Sequence, residues 1–428
     1  MGIDYSNATT KQLLELAEQG DVMAQKFLAY RYDIGQGVKK DYEKAAYWYE
    51  KAAEQGDAVA QYNLAFRYGV GQGVEKDSEK SLYWDTKAAE QGYAKAQYNL
   101  GVSYNQGYKV KQDYEKAVYW FTKSAEQGYE YAQLYLGECY AKGEGVEQDY
   151  EKATYWLQKA AEQGVGKAQY ELGGYYYKGQ GVKRDYEQAA YWFRKAAEQG
   201  NAKAKQELAL CYAKGQGVKQ DYEKAVELFS EFAKRGDSEA QSRLGVCYNN
   251  GWGVKKDYEQ AVFWYTKSAE QGNDVAQCNL GVCYANGDGV KQDYEKAVYW
   301  YTKSAEQGNA AAQNNLGVCY AKGQGVKQDY EKAVYWYTKA TEQGDAVAQS
   351  NLGICYKNGQ GVKKDYERAI YWFEKAAEQG NRIAQKNLDT VSKQIEVEKG
   401  LKHCAHCGGT FKGIFKKVCS VCGKEKDY

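Results

Sequence analysis

A glycine returns every 36 residues through most of the 428-residue chain: Gly20, Gly56, Gly92, Gly128, Gly164, Gly200, Gly236, Gly272, Gly308, Gly344 and Gly380. Each ends the phrase Ala-Glu-Gln-Gly or a variant of it, and the register holds through ten units from 21 to 380. A fixed period of this length signals one supersecondary unit stacked on its own copies, since a single unit that small cannot bury both of its apolar sides. The period displaces the ordinary expectation of two or three unrelated domains for a chain of this size. Composition fits a repeated unit: proline is absent, while Tyr reaches 44 and Gly 46.

Residues 309–344 show the logic of one unit. Ala312, Leu316, Cys319 and Tyr320 fall at i, i+4, i+7 and i+8, one face of a first helix. Gly323-Gln324-Gly325 ends it, because glycine takes the left-handed geometry of a helix end. Asp329 follows as an N-cap, with Glu331 in the first turn of a second helix. Ala333, Trp336, Ala340 and Thr341 mark that helix, and Gly344 closes it.

The same chemistry recurs along the chain. The cap aspartate stands in all ten units, from Asp41 and Asp77 to Asp329 and Asp365. Tryptophan occupies nine equivalent second-helix positions, with Leu228 in its place in the sixth unit. A small residue follows each first-helix leucine, as at Ala29, Gly101, Gly281 and Gly317, so that helix backbones approach while Trp and Tyr fill the remaining volume. In triplets such as Tyr299-Trp300-Tyr301, helical spacing assigns the Trp to the core and the Tyr to the joints between hairpins.

The pattern Ala-x-x-x-Leu-Gly-x-x-Tyr-x-x-Gly-x-Gly-Val-x-x-Asp-x-x-x-Ala-x-x-Trp-x-x-x-Ala-Ala-Glu-x-Gly resembles the Sel-one-like repeat, a relative of the tetratricopeptide repeat. The resemblance covers 21–380 and implies an all-α chain: a right-handed α/α superhelical solenoid of ten helical hairpins whose first helices line a concave surface. It also implies adaptor or scaffold roles. Lys109 replaces a turn glycine of the third unit and Leu228 a Trp in the sixth, so these two units are expected to pack differently. Residues 1–20 hold a capping helix through Leu13, Leu14, Leu16 and Ala17, and 381–400 a second capping helix through Ala384 and Leu388.

Residues 401–428 change character. Cys404-x2-Cys407, eleven residues, then Cys419-x2-Cys422 is four-thiolate spacing, which suits one structural zinc ion held by two knuckles. The segment between them, with Phe411, Ile414 and Phe415, reads as a short hairpin, and the module resembles a zinc ribbon. So small a piece draws most of its folding free energy from metal. Iron in place of zinc, or His403 or His406 in place of a thiolate, stays open. The tail also resembles the first half of a MYND finger; the self-contained ribbon is preferred because the chain stops at Tyr428 without a second ligand set.

The other seven Cys have no paired spacing. Six share one first-helix position, and Cys278 stands elsewhere; all seven read as buried free thiols. The Gly-x-Gly turns follow helices rather than strands, and no Gly-Lys-Ser/Thr accompanies them, so they are turns and not phosphate loops. Histidine is confined to the tail, and no Ser or Cys stands beside a plausible base, so nucleophilic catalysis has no apparatus and no enzyme activity is expected.

A binding surface remains. One first-helix series varies between units: Asn63, Asn99, Tyr135, Arg243, Asn279, Asn315 and Asn351, with Phe27, Glu171 and Glu207 at the same place in other units. Asn amides in a groove can hydrogen-bond a peptide backbone without demanding one sequence. The expectation is a cytoplasmic adaptor that holds a partner protein or peptide in this groove, with the zinc module as second contact or cap. Two alternatives are nucleic-acid binding through Lys412, Lys416, Lys417, Lys424 and Lys426, and a regulatory subunit of an enzyme complex such as ubiquitin ligation. With 58 basic against 57 acidic residues, the chain as a whole has no field that steers it to nucleic acid or anionic membrane. The N-terminus lacks a basic region followed by an apolar run, and Met1-Gly2 with Ser6 only formally fits a myristoylation pattern.

Overall fold

The computed structural model describes residues 4–398, 411–412 and 418–419. Among these residues there are 22 α-helices and one two-stranded ladder. The helices form two compact units, Met1–Gln220 and Asp221–Tyr428, built in the same way. Within each, a second helix packs against the first helix of its own repeat and the first helix of the next.

The local code explains the hairpin. In the unit of 309–344, Asn309 caps the helix Ala310–Lys322 through its side-chain oxygen and the Ala312 N–H. Gly323 ends that helix at φ 69°. Asp329 then accepts from the Lys332 N–H to start Tyr330–Glu342. The second turn glycine, Gly325, has a stricter reason: a Cβ there would run into the Tyr294 carbonyl at the start of the preceding second helix. Lys109, at the matching turn position, adopts φ 68°, so the turn survives without its glycine. What differs in that region is the interior, described below.

The core line of the second helix is Ala297, Tyr301 and Ala305, spaced four apart, and Tyr301 is 4 % exposed. Its ring lies over Gly281 of the first helix, where an added Cβ would sit 2.6 Å from the ring carbons. Phe121 over Gly101, Tyr265 over Gly245 and Phe373 over Gly353 repeat the arrangement. The small residue after the first-helix leucine is therefore a seat for the ring that follows the tryptophan.

This corrects the assignment of the aromatic triplets. Trp48 and Trp192 are buried, but Trp300, Trp336 and Trp372 are only partly so. Trp300 packs on the core cluster of Tyr265 and Leu280, and Trp336 on that of Tyr301 and Leu316, each cluster spanning the preceding second helix and the first helix of the tryptophan's own repeat. The tryptophan thus joins hairpins. The residue before it, such as Tyr299, lies about half exposed and meets the Trp edge-on at 4.9 Å. A helix turns 100° per residue, so three consecutive rings point to core, joint and solvent in turn.

A ladder of glutamines adds a polar joint. Gln307 donates through Nε2 to Gln277 Oε1 at 2.8 Å, and Gln277 donates to the Ala269 carbonyl at the end of the preceding second helix. The pairs Gln55/Gln25, Gln91/Gln61, Gln163/Gln133 and Gln379/Gln349 repeat it. Each relay adds a side-chain donor to a helix-end carbonyl that also accepts from the following turn glycine, as Ala269 does from the Gly272 N–H. In the sixth repeat, Lys205 and Arg235 stand in the two ladder positions.

The helix Thr10–Glu18 opens with a capping box between Thr9 and Gln12 and buries Leu13 and Ala17 in the first core cluster. The helix Arg382–Glu398 buries Ala384, Val391 and Ile395 against Phe373 and Ile370.

Candidate functional site

The residues of the variable series all lie on first helices, and all seven are half-buried rather than fully solvated. Asn63, Asn99 and Tyr135 belong to the first unit; Arg243, Asn279, Asn315 and Asn351 belong to the second. Several reach toward a neighbouring helix. Asn351 donates to Asn314 Oδ1 at 2.9 Å, 37 residues earlier, and Tyr135 stands 5.6 Å from the Tyr98 ring. Arg243 pairs with Glu239 one turn before it. The amides of Asn63 and Asn279 have no hydrogen-bond partner among the described residues. Within the second unit, the first helices Ser238–Asn250 and Asp274–Asn286 approach each other directly, which places their variable positions side by side.

Two places at or beneath this face break the repeat, and pattern reading passed over both. The first is polar and interior. Asp85 stands where the other repeats carry Tyr49, Phe121 or Tyr301, and it is 6 % exposed. Asn99 donates to it at 3.3 Å, and Lys109 donates to Ser81 at 2.7 Å. Ser81 in turn donates to the Ala65 carbonyl. Burial raises the Asp85 carboxyl to about 6, against the lowering effects of Asn99 and Lys109. The Lys109 substitution thus coincides with a charged group in a place that is apolar elsewhere.

The second is a cavity of about 340 Å³ in the fifth repeat. Tyr170, Glu171, Tyr175, Tyr177 and Glu207 surround Gly174, with Lys178 and Gln180 also on the lining. Equivalent positions to Gly174 hold Val102, Val246, Val282 and Val318. A Cβ at Gly174 would meet nothing within 4 Å, so the missing side chain leaves open space. Burial, with the neighbouring Glu138 adding to it, raises Glu171 to about 7, partly offset by Lys167 and Lys142.

The seven cysteines outside the tail are free and buried, as their spacing indicates. Burial pushes Cys283, Cys319 and Cys355 up to about 11, so none is a ready thiolate. Among the described residues no His, Cys, Asp and Glu side chains gather into a metal-binding group. Of the expected zinc ligands, Cys404, Cys407 and Cys422 lie outside the described residues, and Cys419 is described in its backbone alone. Phe411–Lys412 pairs antiparallel with Val418–Cys419, Phe411 opposite Cys419 and Lys412 opposite Val418. No helix among the described residues is long and apolar enough to cross a membrane.

Comparison with known proteins agrees with the repeat. The Sel1 repeat family model matches ten consecutive segments from 22–57 to 346–381. A protective antigen of uropathogenic Escherichia coli with an SLR fold is 39% identical, covering 91% of each chain at a TM-score of 0.67. A Sel1 repeat protein from Oxalobacter formigenes is 35% identical over 72% of this chain and 90% of its own, at a TM-score of 0.60. Among curated proteins no relative matches. Ten matched repeats and two solved relatives with the same hairpins place the chain in the Sel1 repeat family.

Proposed function

We propose that the chain is a non-catalytic scaffold that holds a segment of a partner protein along the variable face of its first helices, through Asn63, Asn99, Tyr135, Arg243, Asn279, Asn315 and Asn351. Sel1 repeat proteins are generally protein-interaction scaffolds, which supports the broad reading. The observation that carries the finer one is where variation falls. Core alanines, cap aspartates and ladder glutamines repeat almost without change, whereas the half-buried first-helix positions differ from unit to unit. Half-burial suits recognition, since such side chains are held in place yet keep an accessible polar edge.

The test is affinity purification of the full chain with mass spectrometry, against a variant with Asn99, Asn279 and Asn315 changed to Ala. The expected result is a specific partner that the variant loses while its helical circular dichroism is kept. No partner, or one that the triple variant retains in full, overturns the reading.

We further propose that Cys404, Cys407, Cys419 and Cys422 bind one structural zinc ion in a terminal module. The short ladder that leads into Cys419 supports this, because it matches the hairpin read for the segment between the two knuckles. Metal analysis of the purified chain should return one zinc per chain, lost in Cys404→Ser/Cys422→Ser. A stoichiometry near zero, or one unaffected by that variant, rejects the module.

A further inference from the structure

The fifth repeat is built differently from its neighbours, and the differences converge on one spot. Where the first helices of the eighth and ninth repeats read Leu-Gly-Val-Cys-Tyr-Ala, this one reads Leu-Gly-Gly-Tyr-Tyr-Tyr. Gly174 deletes a branched side chain, while Tyr175 and Tyr177 add rings at positions held by Cys319 and Ala321 in the ninth repeat. Bulk is removed from the middle of the site and aromatic wall is added on its sides. The result is the cavity of about 340 Å³ around Gly174. That volume stands at the small end for ligand pockets and suits one side chain rather than a large cofactor.

The walls have a consistent chemistry. Tyr170, Tyr175 and Tyr177 present ring surface, and Glu171 and Glu207 present carboxylates from adjacent first helices. Tyr177 is fixed by its hydroxyl, which donates to Gln216 at 3.0 Å, and Tyr170 by contact with Phe193. Lys167 is drawn to Glu138, 2.5 Å away, and lies 3.9 Å from Glu171, while the one cation on the lining is Lys178. The two carboxylates outnumber it. Aromatic faces attract cations, and more strongly where water is excluded. A guanidinium or ammonium group here would meet the tyrosine rings and add counter-charge for Glu171 and Glu207.

We propose that the Gly174 cavity is a recognition pocket for one lysine or arginine side chain of a bound protein segment. The proposal deepens the scaffold reading and rests on it, since the pocket opens among the same first-helix positions that form the variable series. It gives that face a fixed anchor: one cationic residue of the partner docks in the fifth repeat, and the Asn-bearing repeats hold backbone elsewhere.

The test uses the full chain and three blocked tripeptides, acetyl-Ala-Arg-Ala-amide, acetyl-Ala-Lys-Ala-amide and the uncharged acetyl-Ala-norleucine-Ala-amide. Ligand-observed saturation-transfer NMR reads weak binding directly. The expected result is transfer to an arginine or lysine peptide at least fivefold stronger than to the norleucine peptide. Gly174→Val, which installs the residue of the third, seventh, eighth and ninth repeats, and Glu207→Gln should each lower it at least fivefold, with circular dichroism unchanged. Equal transfer to the norleucine peptide, or full binding by folded Gly174→Val, overturns the pocket. The two readings fail separately: a partner captured by the full chain and retained by Gly174→Val, yet lost on changing Asn279 and Asn315, leaves the scaffold standing without the pocket.

Discussion

Gln91 Nε2 donates to Gln61 Oε1 at 2.7 Å across 30 residues, and Gln61 passes the connection on to the Ala53 carbonyl at 3.1 Å. The last polar residue of one hairpin is thereby wired through its own first helix to the helix before it. Gln61 is 4 % exposed, so the amide has no water to fall back on. The phrase that sets the 36-residue register is therefore also a repeated hydrogen-bonded joint.

Breaking one joint should be felt beyond its own repeat. Gln277→Leu removes the bond from Gln307 and the bond to the Ala269 carbonyl, while Gln307 stays exposed and that carbonyl keeps the Gly272 N–H. Each lost hydrogen bond costs about 0.5–1.5 kcal/mol net. Urea unfolding should show a loss of about 1–2 kcal/mol. A change below about 0.5 kcal/mol would mean that the ladder is ornamental.

The three rings of one triplet should differ sharply. Tyr301→Ala empties the space above Gly281 and should cost about 3–5 kcal/mol, the range for deleting a buried aromatic ring. Tyr299→Ala removes a ring that is 51 % exposed and should stay within about 1 kcal/mol. Urea midpoints of the two variants decide it, and equal losses would contradict the assignment.

Much of this fold is written locally. Cap aspartates, left-handed glycines and the Ala/Leu stripe each obey a rule that spans a few residues, and the hairpins followed from them. The inward ring was also legible in the spacing Ala297, Tyr301, Ala305, but the size of tryptophan drew the assignment one residue aside. The glutamine ladder was not legible, because no local rule links residues 30 apart. At the candidate site, comparing repeats located the variable series but not its half-burial, which depends on how closely neighbouring first helices approach. Gly174 and Asp85 announce themselves only as departures from their own equivalents.

Asp85 should make stability depend on pH in an unusual direction. Its folded carboxyl is raised from 3.8 to about 6, so the native chain keeps a proton that the unfolded chain has already lost between these values. Stability then falls as pH rises through that window and stays lower above it. At 1.36 kcal/mol per pH unit, the effect is on the order of 3 kcal/mol. Asp85→Asn should stabilise the chain at pH 8 and leave it nearly unchanged at pH 4. A variant less stable than wild type at pH 8 would refute the account, and the readout is the urea midpoint at both pH values.

Thiol chemistry should sort the 11 cysteines into two classes. The seven buried ones are unreactive at pH 8 in the folded chain, because burial holds them as thiols. The proposed zinc ligands should react with a thiol reagent only after chelation. The expected count is none in the metal-loaded chain, four after chelator and 11 after denaturation. Reaction of Cys319 or Cys355 in the folded chain would show that their helices open.

The central claim is that partners are held on the first-helix face. A photo-crosslinking residue placed at Asn279, half-buried on a first helix, and separately at Tyr299, exposed on a second helix, tests it in the full-length chain. The account predicts that irradiation in a lysate joins the Asn279 probe to a discrete protein partner while the Tyr299 probe stays unlinked to it. Capture of that partner through Tyr299 and not through Asn279 would contradict it.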